Sequence, residues 1–533
     1  MLRFGVVTNS ASLLHWQAEC IRHLARSGVA APALHVVEKP LSRPAPGGGT
    51  LFTIWRRLVV EPRVSALRPV DLEPEIMIPR QTCRLGSGAD DTPRYEPKDI
   101  AAIKALDLDF IVRFARGDPE DRLVRTARWG VWAYHHGNIE RYDGELPGYW
   151  ELDNADPVIE ASLIGFSKGP SKRRVLYRGS FRTPPTLARC FDTVLLGSAY
   201  WCARVAREIA LDQQRAFPAA PEKTSPRQGA LLPTDLEFLV SAGRRATRLA
   251  RRLVRKTLYR EDWNVGIVPA DPAEIARRGV ARKPVWFPNP ARGNFLADPF
   301  PVARGTKTYI LMEEFERRTK KGRIVAALFA DGRFVPKLTP VLETREHLSY
   351  PYAFEWNGTT YFVPEASQCG AVRVYRANGS PLSWELAGTL LEGFPGVDST
   401  IFEHDGVWWL FCTGADNMSQ YKLFAWHAQS PLGPWRPHAL NPLKCDVRSS
   451  RPAGTPFKMD GKLVRPAQDG SRTYGGAITF NWVRELAPDR FSEEPIARLE
   501  PDPDGPYPDG IHTIAGIGTI SVIDGKRYVY RWR

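Results

Sequence analysis

The sequence is short of the features that mark several large functional classes. Its 533 residues hold seven cysteines, Cys20, Cys83, Cys190, Cys202, Cys369, Cys412 and Cys445, an odd and scattered set with no Cys-x-x-Cys pair. That argues against a disulfide framework and against a zinc site, and it makes a reducing setting the expectation. No apolar run is long enough to span a bilayer. The opening stretch, Met1 to Asn9, lacks the uninterrupted apolar region and small-residue cleavage site of a secretory signal, so a cytoplasmic location is expected. The turn after the first strand lacks the Gly-x-Gly-x-x-Gly fingerprint, so dinucleotide binding is not indicated. Acid is also scarce relative to base, 59 residues against 73, which gives a formal charge of +14. That balance attracts anionic partners without choosing among them.

What is present is enough for more than one core. A chain of this length exceeds a single hydrophobic core, and 43% hydrophobic with 25% charged residues is ordinary globular composition. Arg3 to Val7 is a short apolar run ending in Thr8-Asn9-Ser10, followed by Leu13, Leu14, Trp16, Cys20, Ile21 and Leu24 at helical spacing. This predicts a strand, turn and helix, as at the start of an open α/β sheet. A later strand, Leu106 to Arg113, precedes Gly130-Val-Trp-Ala-Tyr-His-His-Gly-Asn138, a strand running into a polar loop. His135 and His136 thus stand at the carboxyl end of a strand, where such sheets place their ligands. Histidine can serve there as general acid or base. Strand alternation equally allows one of the pair to face packing and the other solvent.

Gly130 with His135, Tyr142-Asp-Gly144, Pro147 and Trp150 resembles the N-terminal domain of formyltransferases that use formyl-tetrahydrofolate. The resemblance covers roughly residues 1 to 190 and implies a site at His135, His136 and Asn138. It also implies an Asn two residues before the His and a downstream Asp, with 10-formyltetrahydrofolate as cofactor. Ala133 stands at the first of these positions, and Gly169 to Arg174 holds no carboxylate at the second. Loss of one oxyanion donor typically lowers the rate by about two to three orders of magnitude. The expectation for residues 1–210 is therefore a formyltransferase-like fold that has lost that activity or binds another ligand.

Residues 211–260 form a connection. Asp212 to Pro226 is polar and proline-rich, as linkers are. Thr234 with Glu237 makes a capping-box pattern that starts a helix. Leu236, Leu239, Ala242, Ala246, Leu249 and Leu253 form one stripe of it, and arginines occupy the other faces. The expectation is a helix docking its apolar stripe on a domain with a solvated basic face. The alternative is a basic amphipathic helix lying on an anionic membrane.

From residue 261 to 533 one phrase recurs. Asn294-Phe-Leu-Ala-Asp-Pro-Phe300 leads to Gly305 and Tyr309-Ile-Leu-Met312. The pattern returns at Pro351 to Glu365, at Asp398 to Phe411, and more faintly at Arg451 to Val464 and His512 to Tyr530. Asn357-Gly358, Asp405-Gly406, Asp460-Gly461 and Asp524-Gly525 read as hairpin turns between apolar runs. Five units of about fifty residues predict a five-bladed β-propeller, whose inner strands bring their leading polar residues to a central funnel. The fold class is thus multidomain, an open α/β sheet followed by an all-β propeller. A propeller strand has no structural need of an acid ahead of an apolar run. Asp298, Glu365 and Asp398 suit glycosidic-bond chemistry, with Arg451, Asp469 and His512 holding the sugar or an attached phosphate.

These units, with Ser430-Pro-Leu-Gly-Pro-Trp435, Arg451-Pro-Ala-Gly454 and Arg465-Pro-Ala-Gln-Asp469, resemble the propeller region of plant glucosamine inositolphosphorylceramide transferases and of bacterial proteins that join it to a formyltransferase-like domain. The five-bladed arabinanase and xylosidase hydrolases are similar more distantly. That likeness implies Asp298 as base, with Asp398 and Glu365 in the roles of a pKa-tuning acid and a proton donor, although their order along the chain differs. The plant proteins' separate glycosyltransferase domain has no counterpart in this sequence.

Three functions stand as expectations: a carbohydrate-active protein of cell-surface glycan or glycolipid assembly, an amino-sugar N-formyltransferase using 10-formyltetrahydrofolate, and a non-catalytic glycan-binding protein. A glycan, glycolipid or sugar nucleotide is the expected partner, with no nucleic acid and no metal. No cofactor is expected under the first and third readings, and peripheral contact with the inner membrane surface is a variant of the cytoplasmic placement.

Overall fold

A computed structural model describes residues 1–531 apart from 41–47, 73–74, 88–92, 116, 143, 169–171, 213, 216, 221–231, 289, 291–292 and 417. The chain divides into two compact units, Met1–Arg251 and Arg252–Arg533. Most of the proline-rich linker, and part of the stretch expected to hold the downstream carboxylate, lie outside the described residues.

The first unit is built on one eight-stranded sheet. Its spatial order runs Arg173–Arg182, Val158–Phe166, Val131–His136, Phe110–Arg113, Leu2–Thr8, Ala30–Pro40, Arg80–Ser87 and Pro93–Arg94. The five strands from Val131–His136 to Arg80–Ser87 are parallel, and those outside them are antiparallel. Chain order reverses beside Leu2–Thr8, so the carboxyl ends of Leu2–Thr8 and Phe110–Arg113 flank the switch point at which α/β sheets leave a crevice. The first helix, His15–Arg26, buries Trp16, Cys20, Ile21 and Leu24, the residues its spacing predicts. All seven cysteines are free thiols.

The capping box forms as the sequence predicts: the Thr234 amide donates to Glu237 Oε2 at 2.8 Å, and the Glu237 amide to Thr234 Oγ1 at 3.3 Å. The helix it starts, Asp235–Leu258, departs from expectation in which face it covers. Phe238, Ser241, Arg245 and Arg248 turn inward, Phe238 onto Trp55 at 5.1 Å and the Arg245 guanidinium over the Tyr149 ring at 4.2 Å. The leucine stripe points to solvent instead. Aromatic and guanidinium groups supply the inward packing that the sequence reading assigned to leucine. Among the described residues no helix is long and apolar enough to cross a membrane.

The second unit is a five-bladed propeller. Four blades are meanders in chain order, with inner strands Asn294–Arg304, Ser349–Trp356, Gly396–His404 and Phe457–Met459; three have four strands, and the third has a fifth because Lys444–Cys445 also pairs with Lys422–Ala428. The fifth takes its two inner strands, Ile514–Ile517 and Ile520–Tyr530, from the end of the chain. Its two outer strands, Tyr259–Val268 and Val285–Trp286, come from the beginning of the unit. The seam is antiparallel, from Tyr259 opposite Tyr530 to Val268 opposite Ser521. Pairing the first strand with the last removes the free edges that an open repeat would expose.

Two sequence signals place the site. Asn357-Gly358, Asp405-Gly406 and Asp460-Gly461 have positive φ at both residues, the requirement of the tight turns that match strand twist. Asp524-Gly525 is different. It lies inside Ile520–Tyr530, with Asp524 fully buried opposite Val265, and the turn falls instead between Ile517 and Ile520. The turn dipeptide is thus a strand pair, and its carboxylate points into the protein.

Candidate active site

The inner strands of the first three blades share one backbone irregularity. Their registers slip between Ala297 and Phe300, between Ser349 and Tyr352, and between Val397 and Thr400. At each slip a non-glycine residue takes left-handed backbone: Asp298 at φ 52°, Tyr350 at 43° and Asp398 at 52°. A bulge frees one residue from the ladder and re-aims its side chain. Holding a non-glycine residue in this region costs about 1–3 kcal/mol, and such strain concentrates at functional sites. Asp298, Tyr350 and Asp398 therefore occupy equivalent positions in successive blades.

Around Asp298 the fifth blade closes in. Thr513 Oγ1 donates to Asp298 Oδ1 at 2.8 Å, and the Tyr350 amide approaches Oδ2 at 3.3 Å. His512 stands between two acids, its Nε2 3.4 Å from Asp298 Oδ1 and its Nδ1 2.6 Å from Asp524 Oδ2. The Nδ1 contact is an ion pair without hydrogen-bond alignment. Asp524 also accepts from the amides of His512 at 2.8 Å and Thr513 at 3.2 Å. Burial disfavours a charged His512, but Asp524 and Asp298 outweigh it and hold the imidazole above its usual value. Asp298 itself is raised to about 6, by burial first and then by Asp398 and Asp524 against the opposing pull of His512.

Asp398 is engaged from the fourth blade. Arg451 donates from Nε to Asp398 Oδ2 at 2.6 Å and from a terminal nitrogen to Oδ1 at 3.2 Å, a two-pronged pair. Gln468 Nε2 donates to the same Oδ2 at 2.6 Å. A terminal nitrogen of Arg451 lies 3.7 Å from Glu365 Oε2, and the guanidinium sits over the Tyr474 ring at 5.4 Å. Glu365 is raised to about 8, by burial first and then by Asp398, with Arg451 opposing. Glu313, buried and 3.6 Å from His347, is raised well above its usual value by burial and then by Asp298, Glu365 and Asp398. Among the described residues these five carboxyls interact with one another, with Arg451 and with His512, and Glu313 also lies beside His347, so some must keep their protons at neutral pH.

Of the sequence-predicted residues, Asp298, Glu365, Asp398, Arg451 and His512 come together. Asp469 does not join them through its bonds: it accepts from Arg498 Nε at 3.0 Å and from the Ser471 amide at 2.9 Å. Its neighbour Gln468 reaches the cluster instead, because alternate strand residues face opposite ways. Glu313, Tyr350, Tyr474, Thr513 and Asp524 were missed. The repeat could have found Tyr350, which aligns with Asp298 and Asp398, whereas Asp524 was hidden in a dipeptide that reads as a turn. Asp298, His512 and Asp524 each present one ligand atom, all within 4.8 Å of one another, a set able to hold a cation that the sequence reading did not anticipate. A protonated His512 competes for the same place.

The histidine pair of the first unit is divided as alternation requires. His136 is buried against Trp16 and Tyr134, its Nε2 3.3 Å from Ser198 Oγ, and burial with His135 alongside lowers it to about 3. His135 lines a cavity of about 630 Å3 with Arg113, Phe114, Glu145 and Arg173. Asn138 is used locally, donating to Glu160 Oε2 at 2.9 Å and accepting from the Glu140 amide at 3.0 Å.

The N-terminal region of glucosamine inositolphosphorylceramide transferase 1 matches residues 287–502. The protein of that name from Arabidopsis thaliana is 38% identical over 206 residues, 38% of this chain and 27% of the relative. The one from Oryza sativa subsp. japonica is 34% identical over 211 residues, 38% of this chain and 28% of the relative. This chain therefore spans little more than a quarter of either relative. Among solved structures, a family 117 glycoside hydrolase produced by Zobellia galactanivorans superimposes at TM-score 0.33 with 17% identity, over 44% of this chain and 86% of that one. An exo-β-1,3-galactanase from Clostridium thermocellum does so at 0.31 with 12% identity, over 38% and 49%. No function follows from superpositions of that quality.

Proposed function

We propose that the propeller is the working module of a carbohydrate-active protein and performs acid/base chemistry on a glycosidic bond, with a glycan, glycolipid or sugar nucleotide as substrate. The observation that carries this reading is the cluster itself: Arg451 lies 2.6 Å from Asp398 and 3.7 Å from Glu365, His512 lies 3.4 Å from Asp298, and burial raises Asp298 to about 6 and Glu365 to about 8. At neutral pH Asp298 is largely ionised and Glu365 largely protonated, the division of labour that acid/base cleavage or transfer requires. Asp298 accepts the proton of the attacking water or hydroxyl, and Glu365 donates one to the departing oxygen. Asp398 keeps the Glu365 proton in place, while Arg451 and His512 balance the charge and meet an anionic substituent.

The name of the relatives supports an amino sugar and an inositol-phosphate lipid as the first substrates to try, and glycoside hydrolysis and transfer are the two reactions to score. The test is Asp298→Asn against the parent, on aryl glycosides and on nucleotide-activated amino sugars with inositol-phosphate lipid acceptors. Turnover should fall by about two to four orders of magnitude with the melting temperature retained. Equal turnover in both proteins removes the assignment. Sugar binding by the parent without product on prolonged incubation makes the propeller a glycan-binding module.

A further inference from the structure

The helix Asp235–Leu258 uses one face for packing and leaves the other bare, and the bare face is the apolar one. Phe238, Ser241, Arg245 and Arg248 share the inward side, where Arg248 also donates to the carbonyls of Leu152 and Asp153. At about 3.6 residues per turn the opposite side carries Leu236, Leu239, Val240, Ala246, Leu253 and Val254. Leu236, Leu239, Val240, Leu249, Leu253 and Val254 are 45% to 73% exposed. Arg244, Arg251 and Arg255 run along one edge of this stripe and Lys256 along the other, all exposed, and no acid follows Glu237 in the helix.

A second apolar row lies beside its N-terminus. Asp235 Oδ1 accepts from the Leu51 amide at 2.8 Å, and Phe52 and Trp55 of Thr50–Trp55 pack edge-on and tilted against Phe238. With those rings turned inward, Leu51, Ile54 and Leu58 are left 48% to 74% exposed, next to the exposed Arg57. Soluble proteins rarely leave contiguous apolar rows of this kind uncovered. A partner core would suit the leucines but not the cations along their edges.

We infer that this helix, with the exposed row at Leu51, Ile54 and Leu58, is an interfacial docking surface for an anionic phospholipid membrane. Such helices bury an apolar face at the level of the headgroups while Lys and Arg at its margins reach the lipid phosphates. The excess of base over acid in the whole chain acts in the same direction. This inference does not rest on the chemistry assigned to the propeller, although it would bring that site to a lipid-borne substrate.

The experiment is co-sedimentation of the full chain with vesicles of phosphatidylcholine containing phosphatidylglycerol, against phosphatidylcholine alone. The expected result is association with the anionic vesicles only, weakened by high salt. The double substitution Leu239→Ser with Leu253→Ser should weaken it by about tenfold or more, and Arg251→Gln with Lys256→Gln by a similar factor, each variant melting like the parent. Asp298→Asn should sediment as the parent does, so that loss of the glycosidic reading leaves this one standing. Three results overturn it: the parent stays in the supernatant, the leucine variant binds undiminished and so marks mere charge adsorption, or sedimentation velocity shows a dimer that the leucine substitutions dissolve without any lipid effect.

Discussion

Arg451 grips Asp398 from the next blade, with Nε 2.6 Å from Oδ2, and the same guanidinium stands 3.7 Å from Glu365. One cation therefore serves the buried Asp398 and the largely buried Glu365, and its stronger commitment is to Asp398. Arg451→Met should leave Asp398 buried beside Glu365 without a counter-ion, lowering stability by about 3–5 kcal/mol in urea unfolding at neutral pH. Arg451→Lys keeps a charge but not the fork, so its loss should be smaller. Equal midpoints for parent and Arg451→Met would show that the pair is not holding the site together.

Turnover should depend on pH as a bell. Asp298 must lose its proton to act as base, so the rate rises with pH through about 6. Glu365 must keep its proton to act as acid, so the rate falls through about 8. Glu365→Gln should lower the rate by about two to four orders of magnitude and abolish the alkaline limb. A profile whose alkaline limb survives that substitution assigns the proton to another group.

Glu313 gives the same cluster a stability signature. Its folded-state value is raised, by burial first, so the folded protein binds more protons than the unfolded one above the ordinary carboxyl value of about 4.3. Stability then falls as pH rises through that window. Glu313→Gln removes this slope, and its melting temperature should exceed that of the parent at pH ~8 and converge on it near pH ~5. A shift of the same size at both pH values refutes the assignment.

The fourth blade contains the opposite case. Glu493 accepts from Arg465 Nε at 2.9 Å and from Lys444 Nζ at 2.8 Å, with its side chain almost completely buried. Burial would raise its carboxyl, but Arg465 and Lys444 prevail and lower it to about 2. Its contribution is present above the unfolded value of about 4.3 and lost as pH falls through about 2. Glu493→Gln leaves the buried Arg465 and the partly buried Lys444 without their carboxylate and should destabilise the propeller by about 3–5 kcal/mol at pH ~7, read by calorimetry.

At Gly454 the fourth blade comes close against the fifth. The φ of Gly454 is 127°, and an added Cβ would lie 1.7 Å from the Ile514 carbonyl oxygen, beside the bond from the Ile514 amide to Ala453. Gly454→Ala should lower stability by about 3 kcal/mol or more and disturb His512 and Thr513, two residues before Ile514. Unaltered melting would mean that the blades can separate there without consequence.

Much of the propeller was legible because its signals are local and repeated. Aromatic and β-branched runs at a fixed period announce strands, and Asn-Gly and Asp-Gly between them announce turns. Asp298 and Asp398 stood out because nothing in a strand calls for an acid there. Asp524 was not legible, since Asp-Gly has the same letters in a turn and in a buried strand and only the seam with Tyr259–Val268 tells them apart. The helix Asp235–Leu258 was legible down to its capping box, but not in which face it hides, because neighbours rather than periodicity decide that.

By itself the sequence determined the number of blades, most of the turns between their strands and the acids Asp298 and Asp398 ahead of apolar runs, since backbone preference and side-chain alternation act over a few residues. Only the tertiary structure decided which acids share a charge environment. Asp298 and Asp524 are 226 residues apart in the chain and meet because the ring closes, the Asp298 amide lying 3.3 Å from Asp524 Oδ2. Burial and Coulomb coupling depend on that closure, so the protonation states at the axis belong to the fold and not to any one stretch of the chain.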